Sequence, residues 1–465
     1  MTEVLLHQLH DHLKSLRFQA SLLALLLFFA VNGTLYMLKT DRVDHEVERL
    51  EAESSRRYEQ VDDLSSAVSN VYSLRLGPLG TEFIAEGGSN WFADSGFVSP
   101  ATGRGVTSID RRGATNNWMD RFEVLDWALI ARVVLSFLAI VLAYDGLSGE
   151  RETGTLSLLL THPISPVRIL VGKFLAHLLA LLAALVLGML VSLLVLSLSQ
   201  SIILSAEVAA AAGFFAVGCT LYCALFLLLS LGVSALARTS ASSLVILVLV
   251  WAVLIVALPQ AAYLIGAHAV PAADWDRLDD HEEEIAASLS RKGILLRGRE
   301  KGRGDDYSLE REWAARMVES EKVEVQMQRG FQDLETRQYE LTRRMALLSP
   351  GSAFQGTIEA MLGTGVVRHS AFVSATWQYL DTLRDFIRAR DAADPGSPHI
   401  LFVADYVSDQ PVDHRDIPRF AGLDLSFADS VGQGWLSVSL LLLEALAAFF
   451  FATWAVLRAP VVMRS

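Results

Sequence analysis

The residues best placed to do work lie between 144 and 173, in YDGLSGERETGTLSLLLTHPISPVRILVGK. Three charges in a row, Glu150, Arg151 and Glu152, come before Gly154 and Thr155. An apolar run with Leu156 and Leu159 follows, and Pro163 and Pro166 precede Arg168 and Lys173. Apolar segments long enough to cross a bilayer flank this stretch on both sides. Polar backbone cannot rest in hydrocarbon, so the stretch emerges into water or an interface. An amphipathic turn pinned between two spans is placed to be pushed by a partner; the plainer reading is an inter-helix loop. Two more ionisable residues fall inside apolar segments: Arg132, about five residues in from Trp127, and Glu444, about nine in from Trp435. At about 1.5 Å per residue both lie in the outer half of a bilayer, where an unpaired charge is costly. An Arg132–Glu444 ion pair is therefore expected, either as a lock between spans or as part of a substrate path.

Catalytic chemistry finds no footing elsewhere. Gly213–Thr220 (GFFAVGCT) has the spacing of a phosphate loop but lacks its lysine and lies within an apolar segment. His281-Glu282-Glu283-Glu284-Ile285 opens like a zinc-protease helix without its second histidine, so it reads as a solvated charge run. No serine sits in a nucleophile-elbow context. The only cysteines, Cys219 and Cys223, are four apart in one apolar segment, where they read as buried small hydrophobes rather than metal ligands or a disulfide framework. The basic cluster Arg291, Lys292, Arg297, Arg299, Lys301, Arg303 is interleaved with glycine and reads as a flexible loop, with anionic lipid headgroups or an anionic ligand as the alternative. No catalytic residue, resident cofactor, metal or nucleic-acid partner is expected. If energy drives this molecule, another chain supplies it.

The elements that must position these residues follow from hydropathy. The chain has 465 residues, is 52% hydrophobic, and still carries a formal net charge of −13. Its mean hydropathy is +0.37. That combination separates apolar spans from charged soluble parts. The expected fold class is mainly α: a polytopic membrane protein with six transmembrane helices. An amphipathic interfacial helix (1–16) precedes the first span (17–39). The remaining spans fall at 125–144, 169–198, 208–237, 242–265 and 434–457, with a loop at 145–168 and a tail at 458–465.

Two insertions, 40–124 and 266–433, build a largely helical soluble domain. Within the first, 41–74 carries apolar residues at three- and four-residue steps and predicts a long amphipathic helix. Residues 77–121 are rich in Gly, Asn and Ser and read as loop. Within the second, the phase of Trp313, Met317, Met327, Phe331, Leu334, Leu341, Met345 and Leu348 predicts a helix of about 40 residues, about 60 Å long, with 41–74 as its packing partner. Ser349-Pro350-Gly351 should end it. A further amphipathic helix carries Phe372, Trp377, Leu380, Leu383 and Ile387.

Basic residues set the orientation. Lys14, Arg17, Arg151, Arg168, Lys173, Arg238, Arg458 and Arg464 all fall on one side of a six-span arrangement, while the short opposite gap at 199–207 has none. The positive-inside rule then puts both termini and the 145–168 loop in the cytoplasm and both insertions outside.

At that loop the sequence resembles the ABC-2-type permease family, the membrane subunits of ABC transporters. The resemblance rests on Glu150, Arg151, Glu152, Gly154, Thr155, Leu156, Leu159, Pro163, Gly172 and Lys173, placed between spans two and three. The two large insertions resemble the branch that includes gliding-motility and copper-site-maturation permeases. The resemblance implies a multi-pass protein of the bacterial inner membrane. It implies that 148–160 forms a coupling helix docking on a separate ABC ATPase, which holds the ATP and magnesium. Glu150, Arg151 and Glu152 would be docking charges, Gly154 and Thr155 would set the turn, and Leu156 and Leu159 would complete the docking segment. A second permease copy, identical or related, would pair with it within the membrane lipid. The function implied is export or transmembrane movement driven by that ATPase. The alternatives are an ATP-driven mechanotransmitter acting on an extracytoplasmic protein partner and, from another class, a membrane-bound enzyme or sensor.

Overall fold

The computed structural model describes residues 15–77, 79–87, 93–101, 106–111, 125–155, 165–270, 280, 307–400, 406–423 and 427–458. The expected interfacial helix at 1–16, the charge run at 281–285 and the basic cluster at 291–303 lie outside or almost wholly outside these residues.

Among the described residues, six helices are long and apolar enough to cross a membrane: Leu16–Asp41, Trp127–Glu152, Pro166–Leu198, Ala206–Leu236, Ser240–Gly266 and Gly434–Arg458. The mainly α, six-span class is therefore as the sequence reads. Helix α1 (Leu16–Glu59) starts at Ser15, whose hydroxyl accepts from the amide of Phe18 at 3.2 Å. It continues without a break beyond its apolar part, so the first span and the start of the expected amphipathic helix are one rod about 66 Å long. A short helix α2 (Leu64–Ser69) follows, capped by Asp63. Span two is α3 (127–143), and α4 (Ser148–Glu152) ends the same apolar stretch. Spans three to five are α5 (Pro166–Leu198), α6 (Ala206–Leu236) and α7 (240–269), and span six lies in α11 (Phe427–Arg458).

Helix α6 is the centre of the membrane part. Phe215, Cys219, Tyr222, Cys223, Phe226 and Leu227 are all fully buried, in a core shared with α3, α5 and α11. Close approach is bought with glycine: a Cβ on Gly232 would lie 2.7 Å from the Phe451 ring, and one on Gly188 would lie 2.5 Å from the Phe29 ring. Spans two and five each contain one π-helical turn, Ile130–Leu135 and Ala252–Ala257.

Between spans five and six, α8 (Ser308–Ala346) supplies the long helix that the periodicity predicts. Its lower end lies on α7, where a Cβ at Gly266 would collide with Thr342. Ser349-Pro350-Gly351 does end α8, but the same residues start α9 (Pro350–Leu362), which the sequence reading does not anticipate. Ser349 caps it and Pro350 occupies its first turn, a position where the missing amide costs nothing. Helix α9 packs into the membrane part: Phe354 stacks on Tyr222 with ring centroids 4.7 Å apart, and Ile358 fills the space beside Gly218.

Helix α10 (Val366–Ala392) then enters the soluble domain. Its Phe372, Leu380, Leu383 and Ile387 share a second core with Tyr58, Leu64, Val68, Tyr72 and Val98. Segment 41–74 thus packs mainly on α10 rather than on α8. The region read as loop contributes two of three antiparallel strands, β1 (Tyr72–Arg75), β2 (Ala93–Val98) and β3 (Val106–Arg111), in the order β1-β2-β3. Tyr72 faces Val98 and Leu74 faces Gly96. Ser95, Gly96 and Ser108, residues of the kind that suggest loop, sit within the ladder, where the paired strands bury one face on α10.

Candidate functional site

The loop after span two is built around α4. Its first turn is held by Ser234 near the end of α6: the Ser234 hydroxyl accepts from the amides of Leu147 and Ser148 at 3.1 and 3.0 Å. Each of the next charged residues reaches a different helix. Glu150 accepts from the Lys173 ammonium of α5 at 2.5 Å, with the lysine side chain only 4% exposed. Arg151, 7% exposed, donates one Nη to the carbonyl of Ala237 at 2.5 Å and the other to that of Ala235 at 2.6 Å. Glu152 accepts from the amide and the hydroxyl of Ser240, the first residue of α7, both at 2.9 Å. Before the helix, Asp145 accepts from Arg17 of α1 at 2.8 Å, and the Tyr144 carbonyl accepts from Ser243 at 2.7 Å. Leu147 packs with Ala235 and with Ala455 of α11. The segment 144–152 therefore touches every other span.

These contacts follow from how helices end. The last carbonyls of α6 and the first amides of α7 have no partners within their own helices, and they carry the negative and positive ends of the two macrodipoles. Arg151 and Glu152 supply a cation to the one and an anion to the other, through charge-assisted hydrogen bonds. The chain then turns away. Gly154 takes φ +76°, in the left-handed region that suits glycine, and its Cβ position is open. The Thr155 hydroxyl closes the turn on the Glu150 carbonyl at 3.2 Å, beside the Thr153 hydroxyl at 2.9 Å. Residues 152–155 are exposed. Leu156 and Leu159 lie outside the described residues.

The sequence reading found the three charges but not their partners. Backbone carbonyls at Ala235 and Ala237 have no residue-type signature. Lys173, at the end of the same stretch, and Ser234 and Ser240, which bracket the turn between spans four and five, are the residue types that mark these partners in the sequence.

The structure does not join Arg132 to Glu444. Arg132 instead hydrogen-bonds Gln355 of α9, whose amide donates to Glu359 at 2.7 Å. Its carbonyl, within the π turn, accepts from Ser136 at 2.6 Å and Tyr222 at 2.8 Å. Depth explains the mismatch. A Cβ at Gly356, next to Gln355, would lie 2.9 Å from Ser437, and Glu444 is two turns further down α11, about 10 Å deeper. Glu444 Oε2 is buried without a hydrogen-bond partner among the described residues. Helix α9 supplies the partner that the expected ion pair assigns to Glu444: Gln355 takes the Arg132 guanidinium.

Just before span two, Asp126 caps α3 by accepting from Leu129 at 2.7 Å and also accepts from the amide of Glu86 at 2.9 Å. Glu86 is itself paired with Lys39 of α1. Burial outweighs those bonds and pushes the Asp126 carboxyl up to about 7, with the nearby Glu86 charge adding to the rise and Arg132 opposing it.

A family model described as ABC-2 family transporter protein matches residues 3–459, nearly the whole chain. The chain belongs to the ABC-2 transporter family. Similarity to individual relatives is local. The chain is 48% identical over 48 residues to a protein of Pseudomonas aeruginosa named probable ABC transporter permease protein NosY, a match covering 10% of this chain and 18% of that one. A protein of the same name from Stutzerimonas stutzeri is 48% identical over 50 residues, covering 11% and 18%. Less than a fifth of each relative is thus spanned. This ABC-2 chain is a multi-pass membrane protein, and its segment 144–155 carries polar ties to several of the spans.

Proposed function

We propose that this chain is the membrane subunit of an ABC transporter and couples ATP hydrolysis on a separate ATPase subunit to export across the bacterial inner membrane. The observation that supports it most is the loop itself: its exposed tip at 152–155 projects from a segment that is bonded to spans one, three, four and five and packed on span six. A push on the tip therefore reaches the bundle through several helices. Glu150, Arg151 and Glu152 serve this coupling by holding α5, α6 and α7. Gly154 and Thr155 present the tip, with Leu156 and Leu159 extending the docking segment. The positive-inside rule supports placing the loop and both termini in the cytoplasm, with the soluble domain outside. ATP and magnesium then reside on the partner, and a second permease copy, identical or related, completes the complex in the membrane.

The test is capture of an ATP-hydrolysing subunit by the detergent-extracted chain from native membranes. Wild type should retain one. A Thr155→Arg variant, which puts a long charged side chain on the exposed tip and removes the Thr155 hydroxyl contacts to Glu150 and Thr153, should lower capture at least tenfold, about 1.4 kcal/mol of docking energy. Equal capture by wild type and variant would remove the tip from the docking surface, and no ATPase with either would remove the coupling function.

A further inference from the structure

Arg151 and Glu152 do something more specific than fix a loop. They are adjacent in sequence, opposite in charge, and each meets the helix end of opposite polarity: α6 ends at Leu236, α7 starts at Ser240, and only three residues lie between. Arg151 has no carboxylate within ion-pair distance among the described residues; both of its bonded nitrogens point to α6 carbonyls. Its guanidinium is buried, and its two Nη bonds commit the fork to that helix end. Glu152 commits both oxygens to a single residue of α7. Ser148 adds hydroxyl contacts to Ser234 at 3.1 Å and Ser240 at 3.3 Å, one on each side of the same turn.

We infer that Arg151 and Glu152 rivet the turn between spans four and five to the coupling loop, so that loop and turn move as one rigid body. Both are positioning residues, acting through the helix ends they hold. The transmission of an ATPase stroke through this rivet rests on the function proposed above; the rigid union of loop and turn does not. Spans four and five are thereby the pair driven directly. Span three is linked through the ion pair Glu150–Lys173, and span one through Arg17, which lies 5.5 Å over the Tyr144 ring and pairs with Asp145, the two side chains of that pair being 59% and 35% accessible. An exposed pair of that kind holds weakly.

Two measurements decide this. The first uses the full chain alone in detergent and follows amide hydrogen exchange across 234–243. Arg151→Gln should speed exchange there at least tenfold and leave the far ends of α6 and α7 unchanged. Arg151→Lys, which keeps the charge but loses the fork, should fall between. A Cβ at Gly149 points to within 3.6 Å of the Ser240 hydroxyl, so a Gly149→Cys, Ser240→Cys pair is placed to form a disulfide across the same joint, the covalent bond standing in for the Ser240 hydroxyl contact to Glu152 that the substitution removes. Oxidised in the Arg151→Gln background, it should restore wild-type protection, and reduction should abolish it again. Unchanged exchange in Arg151→Gln, or no recovery on oxidation, overturns the rivet.

The second measurement uses the complex with the captured ATPase. Arg151→Gln should bind the ATPase as wild type does, while hydrolysis in the complex falls to the rate of the isolated ATPase. Loss of capture would make Arg151 a docking contact and overturn the proposal, as would wild-type coupling. If wild type captures no ATPase, the functional reading fails by itself, and the exchange experiment still decides the union of loop and turn.

Discussion

At the scale of single residues, the carboxyl just before span two carries a pH dependence. Asp126 in the folded protein holds its proton up to about 7, whereas the unfolded chain loses it in the ordinary carboxylate range. Between those limits the folded state binds more protons than the unfolded one, so this residue's contribution falls as pH rises through that window. The stabilising side is the acid side. Asp126→Asn keeps an oxygen for the Leu129 amide but cannot ionise. Its thermal midpoint in detergent should lie near or below wild type at pH 5 and gain on wild type steadily to pH 8. Parallel melting curves for the two proteins across that range would show that Asp126 is not titrating where its burial puts it. The groups that face it, Glu86 and Arg132, were each visible in the sequence, but their convergence was not, because Glu86 reaches Asp126 through its backbone amide.

At the scale of elements, packing is decided where glycine lets helices touch. Gly232 of α6 faces Phe451 and Ala452 of α11, with the Ala452 Cα only 3.1 Å from where a Cβ would stand. Gly232→Val should destabilise the detergent-extracted protein by about 1–3 kcal/mol, the usual cost of overpacking, read as a lower unfolding temperature. A variant with an unchanged midpoint would mean that α6 and α11 are less tightly joined than this approach requires. The spans were legible because about twenty apolar residues in a row have one physical solution. Helix α9 was not legible, since Ser-Pro is both a stop for the helix before it and a start for the one after, and composition does not say which. The strands were hidden for a related reason: Ser95 and Gly96 pair in the ladder although neither favours it, and the decisive contacts with α10 are more than 250 residues away.

At the scale of the whole molecule, two long helices carry the membrane part into the soluble domain. Helix α1 delivers Tyr58, whose hydroxyl meets that of Tyr379 of α10 at 2.6 Å. Helix α8 rises from Thr342 beside α7 to Gln332, which accepts from Trp377 of α10 at 3.2 Å, and to Gln328, which donates to Val106 of β3 at 3.2 Å. Exposed Arg337 lies between those anchor points. A proline there removes one backbone bond and clashes with the turn before it, at about 3 kcal/mol or more. Arg337→Pro should raise amide exchange at 333–341 and leave the cores at either end protected. Exchange spreading through the whole soluble domain would instead make α8 part of one cooperative unit with it. The two-insertion domain was legible as mainly helical, and its attachment was not, since an amphipathic stripe names no partner.

The π turns in spans two and five have a consequence for chain length. Each accommodates one residue more than an α-helical turn while keeping the helix on either side in place. Both reach the same point: a Cβ at Gly351 would lie 2.9 Å from Arg132 and 3.0 Å from Ile255. Deleting one residue within 130–135 or 252–257 lets the helix close as α with its two flanks still in phase. The same deletion elsewhere in either span rotates everything beyond it by about 100° and draws it in by about 1.5 Å. These two turns are therefore where natural variants of this fold are expected to gain or lose a residue within a span, and single-residue gaps in an alignment of relatives should cluster there.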